Sequence, residues 1–247
     1  MMKANVVMSK SSALKGQITY IKDHKQSEKQ AAEALASFKR FKGWDIKLEE
    51  GLTATTAPMI AEFETKIIEE SRLHNFKVEN YDRFCTKMAC AINHLAFYRK
   101  VITEDEPMVF LEHDAVCLES WQNYDFDDYL CLNAQFVFRP PNKLGLQQFK
   151  NYSFPGFGIK DFPENYPLLY HKDNIWKNSK MAPGTGAYAI TPKGAKKMLH
   201  AITTLGIDQS DFMINSSNVR MQYIMPNPIK FNSVNLSTSY GYNKSNM

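Results

Sequence analysis

Pro107-Met108-Val109-Phe110-Leu111-Glu112-His113-Asp114-Ala115 is the stretch from which the fold is read. Met108 to Leu111 form a short apolar run that suits a buried strand, and Glu112-His113-Asp114 follow at once. In an open α/β sheet the carboxyl ends of the strands border the ligand crevice. Two carboxylates at i and i+2 are costly to bury there unpaired, so they require a cation or hydrogen-bond donors. Carboxylate oxygens beside an imidazole suit Mn2+ or Mg2+, and such an ion would also hold a diphosphate. Taken alone, the pattern is more commonly an acidic loop entry with no ligand.

Upstream of this stretch, residues 84–102 give the clearest helical pattern, with Met88, Ile92, Leu95 and Ile102 on one side. Pro58 to Arg72 reads as another amphipathic helix through Ile60, Phe63 and Ile67, and Trp44 to Leu48 alternates like a strand. A helix is predicted from about Ser27, where Ser27 and Gln30 have capping-box spacing; Ala31, Leu35 and Phe38 form its stripe, and Gly43 fits its stop. Ala4 to Met8 suits a first strand.

Downstream, Gln135 to Phe138 suggests a strand, and Arg139 to Pro183 forms a long segment rich in Pro, Gly and aromatics, expected to be a functional or mobile loop. Tyr188 to Ile190 is a strand, Thr191-Pro192 caps the next helix, and Ala195, Met198, Leu199 and Ile202 are that helix's buried stripe. Gln222 to Met225 looks like a last strand, and the tail from Asn232 is expected to fray. Strands alternating with helices predict an α/β fold with a mostly parallel sheet flanked by helices. One domain is expected over residues 1–247, with a donor-binding half (1–128), an acceptor-side half (129–231) holding the loop 139–183, and a tail (232–247).

Of the 247 residues, 44% are hydrophobic and 23% charged, the balance of a globular protein. No run approaches the ~20 apolar residues of a membrane span. Met1 to Lys10 lacks the apolar core of a secretory signal, and a cytoplasmic location is expected. Cys85, Cys90, Cys117 and Cys131 form no C-x-x-C pair and lie at no zinc-finger spacing from histidine, so reduced, packed thiols are expected. The net charge of +4 is uneven: residues 129–247 hold 13 Lys/Arg against 5 Asp/Glu, and the first 128 hold 17 against 21. A basic second half is either a solvated face or a surface that meets something anionic, such as a nucleotide, a phosphorylated glycan, a membrane surface or DNA.

Three blocks, in order, resemble glycosyltransferase family 25, which includes lipooligosaccharide and collagen galactosyltransferases. Cys90-Ala91-Ile92-Asn93-His94-Leu95 is similar to its G-C-x-L-S-H-L block and is followed by PMVFLEHDA, similar to a strand ending in L-E-D-D-A. Gly184-Thr185-Gly186-Ala187-Tyr188-Ala189-Ile190-Thr191 resembles its G-T-x-A-Y-x-I-S block. Gly206-Ile207-Asp208 resembles its P-V-D element.

The resemblance implies a GT-A fold, related to the Rossmann architecture, that binds a nucleotide sugar, with UDP-hexose the expected donor. By position, Glu112 approaches the donor ribose or a metal-bound water and Asp114 ligates Mn2+ or Mg2+, so both stand as metal candidates. His113 replaces the family's usual Asp, which removes a negative charge and bears on metal dependence. The turn Gly184-Thr185-Gly186 is expected to bring backbone close to the sugar. His94 lies off the apolar stripe, either as a surface histidine or as a support for the acidic loop.

An inverting transfer needs a carboxylate base within reach of the acceptor hydroxyl, and Asp208 and Asp211 both match that role. Either could instead cap a helix. The segment 139–183 interleaves Phe149, Tyr152, Phe154, Phe157, Tyr170 and Trp176 with lysines, as a core-covering loop or as a platform that stacks rings near phosphates. The leading reading is a metal-assisted, inverting glycosyltransferase with a lipopolysaccharide-like surface glycan as acceptor. The alternatives are glycosylation of a hydroxymethyl-type base in DNA, as in viral DNA modification, and an inactive family member that binds nucleotide or glycan.

Overall fold

In the computed structural model of the chain, which describes residues 13–57, 66–134, 152–166, 168, 175–176 and 178–232, the apolar runs become strands buried on both faces. In β3 (Met108–Glu112), Met108 and Phe110 enter one core while Val109 and Leu111 enter the other. Two further strands divide the same way: β7 (Ala187–Ile190), with Tyr188 and Ile190 against Ala187 and Ala189, and β5 (Tyr129–Cys131). A strand without a solvent face carries no polar alternation, which is why these segments read as continuous apolar runs.

Four more strands complete the main sheet: β1 (Leu14–Tyr20), β2 (Trp44–Glu50), β6 (Gly158–Asp161) and β8 (Met221–Met225). Their order is β2-β1-β3-β7-β5-β8-β6. β1 pairs in parallel with β2 and β3, and β5 in parallel with β8, whereas β7 and β6 pair antiparallel with their neighbours. Five strands therefore run one way and two the other, the mainly parallel α/β sheet expected. β4 (Ala115–Cys117) and β9 (Ile229–Phe231) form a small antiparallel pair beside it.

The helix α1 (Lys25–Phe38) covers one face of the sheet. On the other lie α2 (Arg72–Glu79), α3 (Tyr81–Glu104), α4 (Pro192–Leu205) and the single turn α5 (Ser210–Met213). The chain leaves β1 for β2 on one side and returns to β3 on the other. The carboxyl ends of β1 and β3 thus flank a topological switch point, where a crevice opens.

Capping at Thr191 is as expected: its hydroxyl accepts from the Gly194 amide at 3.1 Å, with Pro192 in the first turn. The α1 cap is a correction. His24, not Ser27, caps this helix: its Nδ1 accepts from the Ser27 amide at 3.1 Å, and the Ser27 hydroxyl accepts from the Ile21 amide instead. The helix ends at Phe38, short of Gly43.

The expected helix 58–72 is also corrected over its described part. The Lys66 carbonyl accepts from the Ile207 amide and the Ile68 amide donates to the Ile207 carbonyl, so these residues run extended and helix begins only at Arg72. The segment 139–183 holds the edge strand β6, and Tyr152, Phe154 and Trp176 pack against the core. The strands expected at Ala4–Met8 and Gln135–Phe138, residues 58–65 and the tail beyond Asn232 lie outside the described residues. No helix among the described residues is long and apolar enough to cross a membrane.

At the edge of the sheet opposite the crevice, charges are paired. Asp128, fully buried, accepts from Lys197 Nζ at 2.5 Å and from the Arg220 amide at 2.8 Å. Asp127 accepts from Lys193 and from the Arg220 guanidinium, which also bonds Asp161. Replacing Asp128 by Ala orphans the Arg220 amide and should cost about 1–3 kcal/mol, a fall in Tm of roughly 2–12 °C for a domain of this size. Thermal unfolding checks this, with Asp128→Asn expected to lose less.

Candidate active site

Glu112 is the first residue of β3 that is not buried, because the strand leaves both cores there. Its amide donates to the Gly186 carbonyl at 2.7 Å, which carries the β3–β7 ladder one residue past its last pair, Leu111 and Ala187. Gly186 leaves room at this junction: a Cβ there would meet Glu112 Oε2 and Phe231 Cζ, both at 2.8 Å, and push those side-chain ends aside. The turn predicted to approach a sugar through its glycines thus spends Gly186 on Glu112, while Gly184 stays half-buried just before it. Thr185 is buried, and its hydroxyl donates to Asp211 Oδ1 at 2.9 Å. Phe231 pairs with Ala115, and the Asn232 amide donates to the Asp114 carbonyl at 3.0 Å, fixing the acidic turn from its far side.

Glu112, Asp114 and Asp211 therefore share one neighbourhood. Glu112 reaches solvent but is hemmed in by the cleft wall. That crowding raises its carboxyl well above the usual range, the charges of Asp114 and Asp211 push the same way, and Lys87 opposes them. Asp114, half-buried, is also raised by burial, and its Oδ1 is buried without a hydrogen-bond partner. Among the described residues no three His, Cys, Asp or Glu side chains form a ready-made metal cage.

Beside this acidic face lies a cleft of about 240 Å³, a little under the ~300 Å³ at the lower end of small-molecule sites. The ends of β1 and β3 line it (Thr19 to Ile21, Glu112, His113), together with the loop Gly51 to Thr55 and Cys90 and Asn93 of α3. Asn93 fixes that loop, accepting from the Leu52 amide at 2.8 Å and donating to its carbonyl at 3.1 Å. Sequence reasoning passed over Asn93, the loop and Thr185 as a hydroxyl donor. The signal for Asn93 was present: a polar residue beside His94 in the block that carries the family resemblance.

The two histidines differ from expectation. His94 is no surface residue. It is buried, stacks on Phe110 at 4.2 Å between ring centres, and meets the Tyr188 hydroxyl at 2.8 Å through Nδ1, so it supports the core and cleft wall rather than the acidic turn. Burial lowers its pKa to about 3. His113 is buried beside the start of α1; burial first, then the charge of His24, lowers it to about 4. Neither ring carries charge at neutral pH.

The two candidate bases separate clearly. Asp208 is 0% exposed, and its Oδ1 accepts from the Gln209 amide at 2.7 Å and the Leu73 amide at 3.2 Å, tying the α2 start to the strand-like segment before α5. Burial raises it to about 6 despite those bonds. Asp211, in the first turn of α5, is only half-buried and faces Thr185.

The sequence model of the family described as glycosyltransferase family 25 (LPS biosynthesis protein) matches residues 21–214. No curated protein matches the chain. The match runs from the end of β1 through α5 and so includes the acidic turn, the Gly184–Gly186 turn and Asp211.

Because the folded-state pKa of Asp208 is raised, the native protein holds a proton there that the unfolded chain releases. Stability from this group should fall as pH rises from about 4 to about 6, by up to about 3 kcal/mol, and then stay level. Asp208→Asn should remove that part of the slope, as read by urea unfolding between pH 4 and 8.

Proposed function

The chain belongs to glycosyltransferase family 25, and from that premise we propose that it transfers a hexose from a nucleoside diphosphate sugar, UDP-hexose foremost, to a hydroxyl of a surface glycan with inversion. The observation that carries this reading is the gathering of Glu112, Asp114 and Asp211 around the Gly186–Thr185 turn, at the mouth of a cleft on the carboxyl ends of β1 and β3. The family implies a donor and a glycan acceptor. The mainly parallel sheet with helices on both faces is consistent with its GT-A-like fold.

In this reading the nucleoside enters between Thr19–Ile21 and the Asn93-held loop, and the diphosphate points toward Glu112 and Asp114. The residues fit a hard divalent cation, Mn2+ or Mg2+. Asp114 keeps a buried oxygen without a partner, and two crowded carboxylates repel each other with only the half-buried Lys87 opposing. Glu112 and Asp114 would hold the ion, which would offset the charge of the departing diphosphate. His113, buried and neutral, adds no negative charge where the family usually has Asp.

Asp211 is the proposed base. It is half-buried, and Thr185 orients one oxygen while the other, without a hydrogen-bond partner among the described residues, would accept the acceptor proton. The acceptor oxygen then bonds the anomeric carbon as the bond from that carbon to the phosphate oxygen breaks. The nucleoside diphosphate leaves with the electron pair, and the proton passes to Asp211. Asp208 has no route to an acceptor and serves the scaffold. The family favours a glycan over DNA as acceptor, and three cations of the basic half, Lys193, Lys197 and Arg220, are already matched by Asp127, Asp128 and Asp161 at the edge away from the cleft.

UDP release from a panel of UDP-hexoses, with Mn2+ or with chelator, tests the proposal. Asp211→Asn should lower turnover about 10²–10⁴-fold with UDP affinity kept, Asp114→Ala should abolish the response to Mn2+, and Asp208→Asn should remain active. Turnover that survives Asp211→Asn but not Asp208→Asn would reverse the assignment, and UDP binding without turnover on any donor or glycan would leave a binding protein.

A further inference from the structure

We propose that the turn Pro155-Gly156-Phe157-Gly158 is an acceptor subsite, where the Phe157 ring stacks on a sugar several units away from the hydroxyl that is glycosylated. This rests on the glycosyl-transfer reading above and extends it to the acceptor's length and charge.

Phe157 is 84% exposed, the most exposed large apolar side chain among the described residues. Single exposed apolar residues are ordinary. This ring, however, sits on a turn anchored on both sides. Gly156 and Gly158 have φ of +82° and +73°, values L-residues adopt only with strain, so the turn projects the one residue between them. Ahead of the turn, the Pro155 carbonyl accepts from the Tyr223 hydroxyl at 2.6 Å, and Phe154 packs on Tyr223 at 4.6 Å. After it, Gly158 pairs with Met225 in the β6–β8 ladder. A platform fixed before binding loses little entropy when a ligand settles on it.

The topology puts this ring on the reactive edge of the sheet. β8 runs in the same direction as β3, so Met225, at its carboxyl end, and Gly158 beside it lie at the edge that carries Glu112. The chain itself makes the link: from Met225 it continues through β9, where Phe231 reaches Gly186 and Asn232 bonds Asp114. Between β3 and β6 there are four strand spacings, about 19 Å, roughly the length of three to four linked hexoses.

The negative face of an aromatic ring attracts the electron-poor C–H face of a pyranose by the same quadrupole that governs aromatic pairs. Lys160 lies across Gly156, where an added Cβ would strike its side chain, so an ammonium group stands beside the turn that carries the ring. An extended saccharide bearing phosphate or acidic sugars has the matching shape and charge.

Transfer from UDP-hexose to core oligosaccharides of two and of five sugar units, prepared from lipooligosaccharide, tests this. The wild type should show a lower KM for the longer acceptor. Phe157→Ala should abolish that length advantage, raising KM for the pentasaccharide about tenfold, or about 1.4 kcal/mol, with kcat retained. Phe157→Trp should restore it. An unchanged KM ratio in Phe157→Ala overturns the subsite while transfer itself stands, and loss of binding to anionic vesicles with that ratio unchanged would assign the ring to a membrane instead. No transfer to either oligosaccharide by the wild type overturns the underlying reading and the subsite together.

Discussion

The hydrogen bond from the Glu112 amide to the Gly186 carbonyl joins the two strands on which the candidate site is built. It extends the β3–β7 ladder just past the point where β3 leaves the cores, and it holds the acidic turn against the Gly184–Gly186 turn. Everything nearby follows from that contact. Thr185, one residue before Gly186, can then reach Asp211, and Phe231 closes over the space a side chain at Gly186 would occupy. The constraint is steric as well as polar. With Cβ contacts of 2.8 Å on two sides, any other residue would displace the Glu112 carboxylate and the tip of the Phe231 ring.

A second consequence is electrostatic. Ending a doubly buried strand in Glu-His-Asp sets two carboxylates in a crowded pocket, where burial and mutual repulsion disfavour their charged forms. Lys87 answers them only partly, and Asp114 keeps an unmatched oxygen. Residues that break local rules without local compensation are expected at functional sites.

How much of this was legible in the sequence depended on whether a signal was local. Met108 to Leu111 and Tyr188 to Ile190 were readable as strands because burial on both faces removes polar alternation, and Thr191-Pro192 was readable as a cap because its chemistry lies within one turn. The His24 cap was missed because Ser27 and Gln30 offered the better-known pattern, while an imidazole one residue before the helix did the same work. Residues 66–68 were drawn into extended pairing by Ile207, some 140 residues away in sequence, which no local pattern reveals. The choice between Asp208 and Asp211 was likewise tertiary. Both match the expected spacing, and only the Leu73 amide on one side and the Thr185 hydroxyl on the other tell them apart.

The charge imbalance between the halves of the chain acquires a different meaning once the sheet is built. Lys193, Lys197 and Arg220 come from the basic half, Asp127 and Asp128 from the end of the acidic half, and they meet where β5 and β8 begin and β7 ends. At that edge opposite charges neutralise one another and brace the strands. At the other edge, where β1, β3, β5 and β8 finish, Glu112, Asp114 and Asp211 stand together without ion-pair partners among the described residues. The two ends of one sheet thus differ: at one, paired charge braces the strands, and at the other the carboxylates of Glu112, Asp114 and Asp211 gather without ion pairs among the described residues. A parallel-rich sheet makes this division possible because most of its strands end on the same side, so a single edge collects the turns on which chemistry can be placed.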